Sequence, residues 1–458
     1  MGVAGTAFPA DKGTLPVGPA LLGLALAAGL VLRVAPAQLN SFPLVDGGLF
    51  ATMALDIRHA GFFLPYATSY NGAGIPFAYP PLGIYILAAI PSDPIVTERW
   101  LPIVWSLAAI VFAYLLAREL TDERRAGIAA VIFAAMPVAW AIEGGGVTRA
   151  LAFALLLATL WRVVIVLRQP TIGNAAWTGA AAGLAILAHP AVGPTIIASV
   201  ALLFAFNPSR RRLLAVVGSG LLAAVPVAPW LVLILTRYGP SPILSAGGAH
   251  HTEETLGRLL VAGPSYIGAL DFVLPLALLG LALAVHRREW LLPAWLVLLI
   301  AVPGGEGRYA AIAWALLAAS GLVTVASALK SVGAQRVGLA VAGGWIFLAS
   351  LLAGYQQFQA LPPGIRQAMV AAGRAVPPGT RFAVVLDDAK LTQPVLDWFP
   401  TLSGRISVGT FMGLEWTSVA RWDRTVALNY RIQRGEIPPD ADYVFRIDRG
   451  SATWQPAR

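Results

Sequence analysis

Cysteine is absent from the 458 residues. That rules out a disulfide framework, a thiolate metal site and a cysteine nucleophile. Charge is scarce too: Asp, Glu, Lys and Arg together make up 12% of the chain, about half the share of a soluble domain. The P-loop, G-x-S-x-G and H-E-x-x-H patterns are missing, and with them the simplest signs of nucleotide, serine-hydrolase or zinc-peptidase chemistry. Most ionisable residues within the apolar runs of the sequence sit at or near the run ends, Arg162 among them. Proton- and ion-coupled transporters need such groups at mid-membrane, and many of them carry internal repeats, which also fail to stand out here. Nothing resembles the aromatic-and-basic surfaces of nucleic-acid binders, so nucleic acid is not an expected partner.

What remains is mostly apolar. The chain is 57% hydrophobic with a mean hydropathy of +0.72, and it holds 46 Gly and 34 Pro, as spanning helices tolerate. Apolar runs near the ~20 residues a bilayer requires fall at 17–35, 98–117, 124–142, 147–167, 173–189, 190–206, 211–236, 263–285, 290–303, 309–328 and 337–358. The first run lacks a convincing cleavage site and reads as a retained span. A net charge of +9 favours anionic headgroups or phosphates as partners.

Basic connectors set the expected orientation. Arg118, Arg124 and Arg125; Arg168; Arg210 to Arg212; Arg287 and Arg288; and Lys330 with Arg336 share one side if eleven spans alternate. That side is then cytoplasmic. The outer side carries the loop 36–97, the "EGGGVTR" loop 143–149, the His189-Pro190 corner, residues 237–262, the "PGGEGRY" loop 303–309 and the C-terminus. This arrangement requires "YPPLGIYILAAIP" (79–91) to re-enter or lie on the surface. From 361 onward the chain holds 12 of the 32 basic and 9 of the 23 acidic residues. "RFAVVLD" and "DYVFRID" read as strands, and "AMVAAGRAV" as a helix. "QPVLDWFP" reads as a helix ending at Pro400. The predicted fold is an all-α polytopic membrane unit over 1–360 with a small α/β extramembrane domain over 361–458.

The polar residues of the outer side are the candidate site. Asp46, in "PLVDGG", is either a functional carboxylate just outside a span or the N-cap of the following helix. Asp56, Arg58 and His59 read as a solvated helix face. Glu143 and Arg149 flank three glycines whose amides would allow close approach to a phosphate, and Glu306 with Arg308 repeats that pattern before a later run. Arginine suits bidentate phosphate binding, with snorkelling to the interface as the alternative. His189, before Pro190, is either a site residue or a plain helix end. "AHHTEET" (His250, His251, Glu253, Glu254) offers metal-ligand types without metal-site spacing. No cofactor is expected, with a divalent metal on outer-loop carboxylates as the open alternative.

The stretch "VDGGLFATMALDIRHAGFFLP", followed by "PFAYPPLGIYILAAI", resembles the first outer loop of GT-C fold glycosyltransferases, the group that includes protein mannosyltransferases, aminoarabinose transferases and oligosaccharyltransferases. The resemblance implies Asp46 as catalytic carboxylate, Tyr79 to Leu82 as the re-entry and Glu143 as second acid. "GRYAAIAWALLAA" is similar to the late Arg segment of many bacterial members. It implies a multi-pass enzyme of a bacterial or archaeal plasma membrane that moves a hexose or pentose. The donor would be a polyprenyl-phosphate sugar and the acceptor a lipid, glycan or protein. Asp46 and Glu143 would be catalytic, with Arg149, Arg308, Glu306, Tyr79 and His189 binding substrate. The absence of an acid pair in the second loop points away from oligosaccharyltransferases. A lipid or polysaccharide transporter and a non-catalytic GT-C-like scaffold are the rival readings.

Overall fold

The computed structural model of the chain describes residues 17–248, 273–302, 307–329, 331–386, 392–448 and 450–457. Every apolar run of the sequence contains a helix. Among the described residues, those long and apolar enough to cross a membrane are Val17–Leu39, Pro94–Leu120, Gly146–Arg168, Arg210–Tyr238, Gly307–Ala328 and Val332–Gln357. Ile172–Ala188, Val192–Ala205, Val273–His286 and Leu291–Ala301 are shorter apolar helices. We number the helices used below α1 (Val17–Leu39), α2 (Gly48–His59), α3 (Leu82–Ala89), α4 (Pro94–Glu98), α5 (Leu101–Leu120), α6 (Glu123–Ala135), α7 (Gly146–Arg168), α8 (Ile172–Ala188), α9 (Val192–Ala205) and α10 (Arg210–Tyr238). Then come α11 (Val273–His286), α12 (Ala311–Ala328), α13 (Val332–Gln357), α14 (Pro363–Ala375), α15 (Thr392–Ser403) and α16 (Val419–Gln433).

In the bundle α1 packs on α6, α5 on α7, α8 on α10, and α11 on α12. Small residues permit these contacts, as membrane helices require. A Cβ on Gly280 would stand 1.9 Å from the Leu317 carbonyl oxygen, and one on Gly321 would stand 2.1 Å from that of Leu276. At one end of the bundle the basic connectors around 118–125, 168 and 210–212 meet. Arg168 pairs with Glu119, and Arg212 Nε donates to the Leu167 carbonyl at 2.6 Å. The polar loops gather at the other end.

Arg33, which the apolar-run reading passed over, lies fully buried within α1. It donates to Ser106 Oγ at 2.7 Å and to the Ala134 carbonyl at 2.8 Å, and its guanidinium sits 5.5 Å from the Trp140 ring centre. Protein-facing polar partners make a charge tolerable at this depth.

The segment 79–91 holds α3, eight residues long. At 1.5 Å per residue it is far too short to cross a bilayer, and it packs on α2 and α7 instead. Arg58 holds this turn, donating to the carbonyls of Ala88 at 2.8 Å and Ser92 at 2.9 Å. Asp56 accepts from Thr68 Oγ1, Ser69 N and Ser69 Oγ at 2.7–2.8 Å. Asp56 and Arg58 are therefore internal pins of the loop rather than a solvated face. Only His59 of that trio is exposed.

The C-terminal region forms a four-stranded sheet in the order β2-β1-β3-β4, with β1 (Arg381–Leu386), β2 (Ile406–Ser407), β3 (Tyr443–Asp448) and β4 (Ser451–Pro456). β1 runs parallel to β2 and β3, and β4 is antiparallel to β3. Both expected strands are present. The helix expected to stop at Pro400 continues to Ser403 as α15. Proline in a helix leaves the carbonyl four residues back without its usual donor, and here Thr410 Oγ1 donates to the Leu396 carbonyl at 2.8 Å. The core of this region takes in Phe42 and Ala51 from the first loop.

Candidate active site

Asp46 lies between two residues of positive φ, Val45 at 60° and Gly47 at 136°. A β-branched residue there is strained, and its neighbours hold it. Val45 N donates to the Gln359 carbonyl at 2.9 Å, and Gly144 N donates to that of Leu44 at 2.8 Å. This turn aims Asp46 away from α2. The N-cap position of α2 is Gly47, with no side-chain cap of its own, so Asp46 is not the helix cap the sequence allowed. Its Oδ1 accepts from Gly145 N at 2.9 Å, and its Oδ2 pairs with Arg149 Nη2.

Two of the three glycines, Gly144 and Gly145, thus serve the carboxylate rather than an anion cradle, while Gly146 packs against Ala141 and Pro102. A Cβ on Gly144 would lie 1.9 Å from the Asp46 carbonyl oxygen, and one on Gly145 would lie 3.0 Å from Asp46 Oδ1. Only glycine lets the two loops come this close.

Glu143 Oε1 lies 3.0 Å from Arg308 Nη2 and 3.3 Å from Arg149 Nε. Arg149 therefore bridges the two acids, and Arg308 reaches the same Glu143 oxygen from the turn Gly307–Ala310 ahead of α12. Burial pushes the Glu143 carboxyl up, but the Arg308 and Arg149 guanidiniums outweigh it and hold the group down at about 2. The two guanidiniums thus favour its charged form. Asp46, Glu143, Arg149 and Arg308 line one cavity of about 380 Å³, closed on one side by Pro137 and Phe358. Two carboxylates and two guanidiniums leave the cluster formally neutral.

Tyr79 and His189 do not line this cavity. The Tyr79 hydroxyl lies 3.1 Å from Thr148 Oγ1. Its ring stacks edge-on against Phe50, His189 and Trp416, at 5.1–5.9 Å between centroids. His189 Nδ1 accepts from Ala191 N at 3.3 Å. Aromatic packing beneath the loop is what these two residues share. Glu306 and the "AHHTEET" stretch with His250, His251, Glu253 and Glu254 lie outside the described residues.

Among the described residues no group of three His, Asp or Glu side chains is placed to hold a metal ion. The donor set as arranged does not fit a divalent cation. Both Asp46 oxygens and Glu143 Oε1 are engaged by an amide and two guanidiniums, which a cation would have to displace.

Two buried acids that the sequence did not single out stand beside this site. Asp397, in α15, is 3% exposed, and Glu98, at the end of α4, is fully buried. Asp397 Oδ2 accepts from Gly47 N at 2.7 Å and Gly48 N at 2.8 Å. Glu98 Oε2 lies 2.3 Å from where a Gly47 Cβ would stand. No spacing pattern marks either acid, and their contacts form only in three dimensions.

This architecture, a helical bundle with a short α3 return, a polar cavity at one end and a small sheet seated on the first loop, is similar in fold to solved structures of an archaeal oligosaccharyltransferase and of ArnT. Among solved structures, the oligosaccharyltransferase AglB from Archaeoglobus fulgidus, in complex with an inhibitory peptide and a dolichol-phosphate, is similar at 13% identity and a TM-score of 0.60. The match covers 94% of this chain and 69% of that one. A structure of the Archaeoglobus fulgidus enzyme with Zn and sulfate matches at 15% identity and a TM-score of 0.58, over 93% and 67% of the two chains. ArnT from Cupriavidus metallidurans, bound to undecaprenyl phosphate, is similar at 14% identity and a TM-score of 0.56, over 93% of both chains. The family model for dolichyl-phosphate-mannose-protein mannosyltransferase matches residues 79–233. No curated protein matches the chain.

Proposed function

We propose that the chain is a membrane glycosyltransferase that moves a sugar from a polyprenyl-phosphate donor to an acceptor hydroxyl, with Asp46 as general base. The observation that carries this reading is the convergence of Asp46, Arg149 and Arg308 on one cavity. The fold neighbours add weight, because their structures hold a dolichol-phosphate and undecaprenyl phosphate. Arg149 and Arg308, which Glu143 also contacts, bind the donor phosphate. Asp46 takes the proton of the acceptor hydroxyl. The acceptor oxygen then bonds to the anomeric carbon as its bond to the phosphate oxygen breaks, with inversion. The polyprenyl phosphate leaves against the two guanidiniums, whose charge-assisted bonds favour the departing anion. Glu143 positions the arginines. The donor arrives on a lipid because the site is assigned to the outer face, away from nucleotide sugars.

Asp46→Asn tests this directly. With a panel of polyprenyl-phosphate hexoses and pentoses, and a membrane extract as acceptor, turnover is expected to fall about 100- to 10,000-fold, the usual worth of acid–base catalysis. Affinity for undecaprenyl phosphate is expected to stay at or above the wild-type level, since the variant removes a negative charge. Near-wild-type transfer by the folded variant would remove Asp46 from the chemistry.

A further inference from the structure

We propose that Asp397, contributed by the C-terminal α/β region, is a positioning residue for the transfer. Its carboxylate holds the Gly47 and Gly48 amides and so fixes the backbone that presents Asp46. The inference rests on the reading of Asp46 as general base.

The first amides of a helix have no partner within the helix. In α2 they belong to Gly47 and Gly48, neither of which has a side chain to help. The residue ahead of them, Asp46, is turned towards Arg149. A carboxylate from 350 residues further along the chain takes over as the cap, at 2.7 and 2.8 Å. It fits closely: a Cβ on Gly48 would stand 2.5 Å from the Asp397 carbonyl oxygen. The Tyr70 hydroxyl donates to that same carbonyl at 2.8 Å, fixing Asp397 in turn.

The clamp grips the peptide immediately after the strained pair of dihedrals around Asp46. Unclamped, Gly47 and Gly48 are the two residues of the turn with the most conformational freedom, and the Asp46 carboxylate swings with them. Burial and the charge of Asp46 push the Asp397 carboxyl up to about 6, against the pull of the two amides and Tyr70. Glu98 stands on the other side of Gly47 with no hydrogen-bond partner for either oxygen.

The C-terminal region does not depend on this clamp for its seat. Thr401 Oγ1 donates to the Gly48 carbonyl at 2.8 Å. Asn71 and Ser407 exchange two bonds of 2.7 and 3.1 Å. The Phe42 and Trp398 rings meet edge-on at 4.6 Å. Removing the Asp397 carboxylate therefore separates positioning from docking.

The test uses the full chain in nanodiscs with Asp397→Ala, Asp397→Asn and, as a docking control, Asn71→Ala. Amide hydrogen exchange of the peptide spanning 44–52 is expected to quicken about 10- to 100-fold in Asp397→Ala, as fits the loss of charge-assisted bonds. Asp397→Asn keeps one acceptor oxygen and should recover most of the protection. Unchanged exchange in Asp397→Ala overturns the clamp, whether or not transfer is detected. In the transfer assay, kcat is expected to drop about 30-fold or more in Asp397→Ala, with undecaprenyl phosphate affinity unchanged and partial rescue in Asp397→Asn. If exchange quickens but the active enzyme keeps its kcat, the clamp is structural and the positioning role is wrong. If kcat and lipid affinity fall together as in Asn71→Ala, the residue serves docking alone, which also refutes it. A wild type with no transfer to any acceptor counts against the functional reading instead, and the exchange result still decides the clamp.

Discussion

Replacing Glu143 by Gln removes one charge from the centre of the ion cluster while keeping the shape of the side chain. Two guanidiniums meet at Oε1, 3.0 and 3.3 Å away, so the variant leaves two buried cations facing Asp46 alone. The depression of the Glu143 carboxyl from 4.5 to about 2, at ~1.4 kcal/mol per pH unit, gives about 3 kcal/mol of preference for the charged form. Removing one partner from a buried pair costs about as much. The sign follows from the direction: a folded value below the ordinary one stabilises fully above about pH 5 and is lost as pH falls towards 2. Thermal unfolding of detergent-purified protein should therefore show Glu143→Gln less stable by about 3 kcal/mol at neutral pH. The gap should narrow as the buffer is taken below pH 4.5. The same change leaves the arginines with less counter-charge, so undecaprenyl phosphate should bind more tightly, by about 10-fold. Turnover should fall, because neither guanidinium is held at its place. A Gln variant as stable as wild type, with unchanged lipid affinity, would refute the coupling of Glu143 to both arginines.

Two further outcomes are expected. Arg308→Ala should weaken undecaprenyl phosphate binding about 10- to 100-fold, with Arg308→Lys recovering only part of it because a point charge lacks the planar fork; unchanged affinity in both variants would assign Arg308 to the ion cluster alone. A reporter active only in the cytoplasm, fused after Arg458, should be silent, and strong activity would invert the assigned orientation and place the cavity on the cytoplasmic side.

The bundle was legible because membrane insertion writes itself into composition: each long apolar run contains a helix, and three of the basic connectors meet at one end. The acid-and-arginine set was legible for a related reason. Ionisable residues are costly near the bilayer, so Asp46, Glu143, Arg149 and Arg308 stood out against an apolar background, and all four line one cavity. Asp397 and Glu98 were not legible, because the C-terminal region is rich in charge and Glu98 sits at the mouth of an apolar run. What distinguishes them is burial against Gly47, a contact between residues far apart in the chain. Arg33 was missed for the opposite reason: it lies near the end of an apolar run as read, but α1 continues to Leu39 and carries it inward. Pro400 misled because proline usually ends a helix, and only the distant Thr410 hydroxyl shows why it does not here.

The strain around Asp46 explains why so many segments converge there. A β-branched residue at positive φ, followed by a glycine at 136°, costs of order 1–3 kcal/mol unless the surroundings over-determine it. The turn is held by Gln359 just beyond α13, by the Gly144–Gly145 loop ahead of α7, and by Asp397 in α15. None of these holds is local in sequence. The relaxed alternative is an Asp46 that caps α2 in the ordinary way, with its carboxylate turned from the arginines. The fold blocks that alternative by filling the cap position with another carboxylate. The geometry of Asp46 thus depends on the bundle and the C-terminal sheet region together, which is a physical reason for a small sheet to sit on the first loop.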